Sequence, residues 1–367
     1  MLSPFARSML RFVRIKVPGR VLGIAAVLTA VATLAGAAVP AQAATPGWRQ
    51  VFSHHYGAAN DYSVYGAVVA PSRSSAWMLG GADVSGGNGT TQRALAVHWN
   101  GHSWSSTLLL PATSWVIAAS ADSDTDIWAV TFSGGYILHW NGAKWLVAKH
   151  LTGVGELTGV TALSPTNVWV FGGPGVSAGL GTWHWNGTSW QQWTIGRGAG
   201  LELASALSAT SIWAVGSAQA SSDSIVHFNG TSWQLVSATA LAGLQFSGVR
   251  ALSSTNVWVT AAASGGGPAY LVHGTSTGWT RIQVPWSGLY VSSPTPDGVG
   301  GLWLTGQTTS NKGYFIHRGA GGTWSAFAAN GLPEGLAPIP GTHAVWGVGR
   351  NQATTNSSAV IWAYGVV

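Results

Sequence analysis

The chain has 367 residues, 46% of them hydrophobic, with 51 Gly, 22 Trp and only 7% charged, the reverse of a disordered chain, which is charged and poor in aromatics. It contains no Cys, which excludes disulfide stapling, thiol chemistry and thiolate metal sites and leaves stability to a buried core. The formal charge of +6 is concentrated at the start: five of the sixteen Lys and Arg and none of the ten acids lie in residues 1–43, so the remainder holds eleven bases against ten acids, a net +1 that gives no reason to expect nucleic acid or an anionic membrane as partner.

Residues 1–43 read as a secretory signal peptide. Arg7, Arg11, Arg14, Lys16 and Arg20 precede an apolar stretch, Val21 to Val39, that ends in the small-residue pattern Ala41-Gln42-Ala43. Cleavage after Ala43 is expected, leaving residues 44–367 as one secreted, extracellular domain with no membrane attachment.

From there on one tryptophan recurs after a small polar turn, at Trp77, Trp128, Trp169, Trp213, Trp258, Trp303 and Trp346, with intervals of 51, 41, 44, 45, 45 and 43 residues. A period of that length suits four short strands and their turns. The unit from Leu157 shows the order: Leu157 to Leu163, a turn, Val168 to Phe171, a loop, Thr182 to Trp185, a tight turn, and Trp190 to Ile195. The third-to-fourth turns carry Asn100-Gly101, Asn141-Gly142, Asn186-Gly187 and Asn229-Gly230, the dipeptide of a type I′ hairpin. The seventh unit ends at Ala359 to Trp362, its third strand, and Gly47 to Val51 supplies the missing fourth, since Trp48 matches Trp104, Trp145, Trp190, Trp233, Trp279 and Trp324. The predicted fold is an all-β, seven-bladed β-propeller whose last blade is completed by the N-terminal strand, a closure that removes free sheet edges.

Third strands end in His98, His139, His184, His227, His273 and His317, with Ile361 in the seventh place. One His per blade at a common height is too widely spread to share an ion, so the row is expected to be structural, hydrogen-bonded between blades, and no metal or other cofactor is predicted. Asp122-Ser123-Asp124-Thr125-Asp126 opens like a calcium loop, but Ile127 stands at the required Gly and Ser133 at the closing Glu, so it reads as the turn before Trp128.

Residues outside the repeat collect in the fourth-to-first and second-to-third connections, which share one mouth of the channel. Asp61, Asp83, Glu156, Glu202, Asp223 and Glu334 all fall there, as do His54, His55, Tyr56, Tyr62, His150, Trp115, Trp286 and Tyr290. Flat aromatics beside carboxylates suit sugar rings, which stack through C–H faces while hydroxyls accept and donate hydrogen bonds. Tyr56, Asp61, Tyr62, Trp115, Trp286 and Tyr290 are therefore the candidate ligand-binding residues. Were the mouth catalytic, Glu156, Glu202, His54 and His150 would be the acid–base candidates.

The run Asp126 to Val130, DIWAV, followed by His139 to Trp145, HWNGxxW, resembles the tectonin-type repeat and, more loosely, the kelch-like propellers of galactose oxidases and the Asp-box propellers of sialidases. Tectonin-like proteins are lectins, so the resemblance implies sugar binding. Three readings stand at this point: a secreted lectin-like monomer without catalytic activity that binds glycan or polysaccharide, a polysaccharide hydrolase or lyase working at the mouth, and a protein-interaction scaffold.

Overall fold

The computed structural model describes residues 47–58, 61–86, 89–109, 114–153, 155–173, 180–193, 200–218, 222–292, 294–351 and 356–367, so the signal peptide expected over residues 1–43 lies outside the described residues. β1 (Trp48–His54) comes first in the chain and last in the ring. The first blade is β2 (Tyr62–Ser72), β3 (Ser75–Gly86), β4 (Gly89–Trp99) and β5 (Trp104–Leu109), and the second β6 (Val116–Ser123), β7 (Asp126–Thr131), β8 (Tyr136–Trp140) and β9 (Trp145–His150). The third is β10 (Leu157–Ser164), β11 (Asn167–Gly172), β12 (Thr182–Trp185) and β13 (Trp190–Trp193), and the fourth β14 (Gly200–Ser208), β15 (Ser211–Ala218), β16 (Ser222–Phe228) and β17 (Trp233–Val236). The fifth is β18 (Leu244–Ser253), β19 (Asn256–Ala263), β20 (Ala269–Thr275) and β21 (Gly278–Gln283). In the sixth the inner strand is split into β22 (Leu289–Val291) and β23 (Thr295–Pro296), both on β24 (Leu302–Thr308), followed by β25 (Gly313–Arg318) and β26 (Trp324–Ala328). The seventh is β27 (Leu332–Pro338), β28 (Val345–Arg350) and β29 (Ala359–Tyr364), with β1 antiparallel to β29 as its outer strand.

The seven-bladed propeller read from the tryptophan interval is the fold, and the N-terminal strand completes its last blade. First strands of successive blades touch one another, β2 with β6, β6 with β10, β10 with β14 and β14 with β18, and so line the axis. The ring is also tied where it closes. Ser63 N donates to Ser357 O (3.0 Å), and the hydroxyls of the two serines, both fully buried, donate to each other's backbone carbonyls at 3.1 and 3.2 Å.

The tryptophans do most of their work between blades. The fourth-strand indole of one blade meets the second-strand indole of the preceding blade edge-on, as in Trp104 on Trp346 (5.4 Å, 76°), Trp233 on Trp169 (5.5 Å, 84°) and Trp48 on Trp303 (5.2 Å, 89°). Edge-to-face contact places the positive ring edge against the negative ring face, so each seam gains orientation as well as burial. Between the fifth and sixth blades the Arg318 guanidinium intervenes, 5.5 Å from Trp258 and 5.9 Å from Trp324.

Three local expectations need correction. The Asn-Gly turns are not two-residue I′ hairpins: Gly101, Gly142, Gly187 and Gly230 have φ between 87° and 97°, while the preceding asparagines do not have positive φ. Four residues separate Trp99 from its partner Trp104, and Asn100 Oδ1 accepts from the backbone N–H of His102 (3.0 Å) and Ser103 (2.8 Å), so the Asn side chain closes the turn. The histidines bond within their own blades. His184 Nε2 donates to Asn167 Oδ1 at 2.9 Å while its ring stacks on Trp169 at 4.3 Å, and His139 pairs with Asp126 (2.7 Å) over Trp128 (4.2 Å). Finally, the seventh third strand runs two residues further than Trp362. Ala363 lies opposite Trp346 as His98 lies opposite Trp77, so Ala363 and not Ile361 takes the histidine's place.

Candidate functional site

The upper mouth is shaped by a register slip repeated around the ring. Pairing of the inner strand with the second strand skips one residue at Gly66, Ile117, Thr158, Glu202, Ser247 and Glu334, and the sixth blade breaks at the same level between β22 and β23. The residues just before the slip, Tyr65, Val116, Leu157, Leu201, Phe246, Val291 and Pro333, are all buried. One step nearer the mouth the alternation of a strand turns the next residue to the other side. That row is Val64, Trp115, Glu156, Gly200, Gln245, Tyr290 and Leu332.

The row divides the mouth in two. On blades seven, one and two, Leu332, Val64 and Trp115 are 1%, 1% and 7% exposed. On blades three, five and six, Glu156 and Gln245 are half-buried and Tyr290 is 46% exposed, while blade four has Gly200 and no side chain. Among the described residues, one side of the mouth is filled, and the other carries partly or fully exposed side chains on blades three, five and six.

The filled side is a polar network under an aromatic cover. Arg350, at the end of β28, is fully buried; its Nη1 lies 3.0 Å from Glu334 Oε1 and donates to the Tyr62 hydroxyl. Tyr62 stacks on Trp115 (5.2 Å, 22°), and the Trp115 ring occupies the space that a Cβ on Gly81 would take. Burial pushes the Tyr62 hydroxyl and the Glu334 carboxyl above their ordinary pKa values, Arg350 opposing both shifts only in part. For Arg350 burial acts downward, but Glu334 and Tyr62 outweigh it and hold the guanidinium up. Asp61 is 3% exposed and accepts from Ala58 N (2.6 Å) and Ser85 N (3.0 Å); against the upward push of burial, these bonds hold its carboxyl below the usual range. Asp83 is raised, first by burial, with Gln92 and the Trp115 indole opposing and Asp61 reinforcing.

The other candidates lie apart from one another. Tyr56 is half-buried with its hydroxyl 3.2 Å from that of the fully buried Tyr65, and the exposed His54 ring lies 4.2 Å from it. His150 ends the outer strand β9, exposed and stacked on Tyr136 at 4.2 Å. Trp286 packs edge-on to Trp324 (6.4 Å, 89°) in the seam between blades five and six. Glu156 is half-buried beside the inner end of the third blade, and burial raises its carboxyl. Glu202 is the slip residue of β14; its side chain, and that of Asp223, lie outside the described residues. Among the described residues no group of three His, Asp or Glu could hold a metal ion, and Asp126 Oδ1 accepts from His139 Nε2 and Trp128 Nε1.

Sequence reasoning missed Arg350 and Gln245. Arg350 had a signal: four residues beyond each second-strand Trp stand Gly81, Phe132, Gly173, Ser217, Ala262 and Gln307, all uncharged, and the single Arg breaks that column. Gln245 had none, because its exposure depends on a slip the sequence does not announce.

No family profile matches the sequence, and no curated protein matches it. Solved structures do share its fold. Virginiamycin B lyase from Staphylococcus aureus, inactivated and bound to quinupristin, superposes with a TM-score of 0.64 at 10% identity, covering 87% of this chain and 100% of that one. YCF48 bound to a D1 peptide gives 0.59 at 12% identity, covering 89% and 97%, and the BP39L lectin from Burkholderia pseudomallei 0.53 at 13%, covering 82% and 97%. At such identities the likeness is one of fold, and this chain is a seven-bladed β-propeller similar in architecture to a lyase, a peptide-bound protein and a lectin.

Proposed function

We propose that the protein is a secreted glycan-binding propeller whose ligand rests on the exposed side of the mouth, against Glu156, Gln245 and Tyr290. The observation that carries this reading is the division of one structural row into a filled and an exposed side. A phenol ring exposed on the otherwise buried inner strand β22 offers a face for sugar C–H groups. Gln245 supplies an amide donor and acceptor, and Glu156, its carboxyl raised by burial, can accept or donate to hydroxyls. The fold is one that the lectin BP39L also uses, which makes the reading compatible with the architecture without deciding it.

A glycan array probed with residues 44–367, followed by calorimetric titration of any hit, tests the reading. Binding at about 100 μM or tighter, weakened roughly three- to tenfold by Tyr290→Ala, is expected for a lost stacking contact. Absence of any binding across the array overturns it. A second reading, a polysaccharide hydrolase or lyase, is favoured by one observation, the upward shift of the Glu156 carboxyl, which suits a general acid. It predicts reducing-sugar release or new ultraviolet absorbance that disappears in Glu156→Gln.

A further inference from the structure

We infer that Arg250 forms a second binding site, for an oxyanion group, on the inner wall of the channel between the fifth and sixth blades. The site stands on observations independent of the exposed side of the mouth.

Among the described residues, Arg250 is the single Lys or Arg on the seven inner strands. At the same register position, opposite the second-strand Trp, the other blades carry Val69, Ser120, Thr161, Ser205, Thr295 and Ala337, all short and uncharged. Two of these are already committed to the backbone of the next blade: Ser120 Oγ accepts from Ala162 N (2.9 Å) and Ser205 Oγ from Ala251 N (3.1 Å). Arg250 is flanked by Val249 and Ala251, buried at 5% and 6% in the core of the fifth blade, so its side chain leaves the strand on the other side. It runs toward the sixth blade, where its Nε donates to Pro294 O at 3.2 Å.

That bond fixes the plane of the guanidinium and uses its Nε edge. The end-on fork formed by Nη1 and Nη2 has no hydrogen-bond or ion-pair partner among the described residues, and neither nitrogen is among the side-chain atoms sealed from solvent. Arg cannot discharge itself by deprotonation at any working pH. A half-buried cation, with no carboxylate beside it and with burial acting against its charge, is stabilised by an anion that supplies two coplanar oxygens. Carboxylate, sulfate and phosphate groups all meet that geometry. Arg250 lies four ladder steps below Gln245, about 13 Å along the strand, so a small anion can reach it without touching the exposed side of the mouth.

The test is calorimetric titration of the secreted chain with glucuronate and, separately, with inorganic sulfate in chloride-free buffer, with glucose as the neutral control. Binding of either anion, weakened at least about tenfold in Arg250→Gln and only partly in Arg250→Lys, which keeps the charge and loses the fork, is the expected result. Glucuronate alone would assign a carboxylate site and sulfate alone a tetrahedral oxyanion site. Identical titrations of wild type and Arg250→Gln, with circular dichroism showing both folded, overturn the site, as does a wild type that binds neither anion. Tyr290→Ala should leave these titrations unchanged, so failure of the mouth reading and failure of this one are told apart.

Discussion

The Trp145 indole of the second blade stands edge-on to Trp77 of the first, ring centres 5.4 Å apart and planes at 85°, and the opposite partner of Trp77 is the His98 ring of its own blade, 4.3 Å away and nearly parallel. Trp77 is thus held by a histidine within the blade and by an indole across the seam. The blade and the ring are stabilised through the same side chain.

Trp169→Ala should therefore be among the most damaging single changes. Trp169 is 1% exposed and meets His184, Trp193, Phe228 and Trp233. Truncation removes its burial and leaves a cavity in a seam, a loss of about 3 to 5 kcal/mol. Urea unfolding should show a midpoint lowered in proportion with an unchanged slope; a shift corresponding to less than about 1 kcal/mol would contradict the role assigned to the seam.

This periodic packing is why the fold was legible in sequence. A buried indole at each seam cannot be replaced by a small residue without cost, so its spacing records the blade length, and Trp48 records the closing strand. The mouth was legible only in outline. Asp61, Tyr62 and Trp115 could be placed on the right face, but whether a residue there faces core or solvent depends on the inner-strand slip, since one residue of register reverses every side chain. Trp115 and Tyr290 occupy equivalent positions and differ in exposure because Gly81 gives the first ring a seat on the neighbouring blade. The same uncertainty hid the end of the seventh third strand, where the pairing of Tyr364 with Trp48 and of Ala363 with Trp346 sets the register.

The Arg350 and Glu334 pair should behave as a buried ion pair whose halves depend on each other. Glu334→Gln leaves the enclosed guanidinium without its carboxylate, a loss of about 3 to 5 kcal/mol. Replacing both, Glu334→Leu with Arg350→Met, removes the two desolvation costs together and should destabilise less than Glu334→Gln alone. A double-mutant cycle by chemical denaturation measures the coupling; additive losses would show that the two side chains act separately.

Acid should weaken the fold in two stages. Burial lowers the pKa of His98, His184, His227 and His273 below 6.5, so in the window under 6.5 the unfolded chain binds more protons than the folded one. Their contribution is complete above 6.5 and is lost as pH falls through that value toward the folded-state pKa. Asp297 acts lower down: burial would raise it, but His317 and the N–H groups of Val299 and Gly301 hold it below 3.8, so its contribution persists to that pH and fades beneath it. Calorimetric melting from about pH 8 to pH 3 should show both declines. His184→Gln should reduce the first, leaving the share of the other three histidines, without touching the second.

Trp115→Ala and Tyr290→Ala separate the two halves of the mouth. Both residues are aromatics one step above the buried row of the inner strand, and the sequence treats them alike. Trp115 is 7% exposed, stacked on Tyr62 and seated on Gly81, so its loss opens the cover over Arg350 and should lower stability by about 3 kcal/mol or more. Tyr290 is 46% exposed and has little burial to lose, so its truncation should change stability by less than about 0.5 kcal/mol. Ligand affinity should respond in the opposite sense, falling for Tyr290→Ala, while whatever fraction of Trp115→Ala remains folded keeps the wild-type value. Paired melting and titration of the two variants provide the check. A Trp115→Ala protein that melts normally but has lost its ligand would move the binding surface from the exposed side to the filled side.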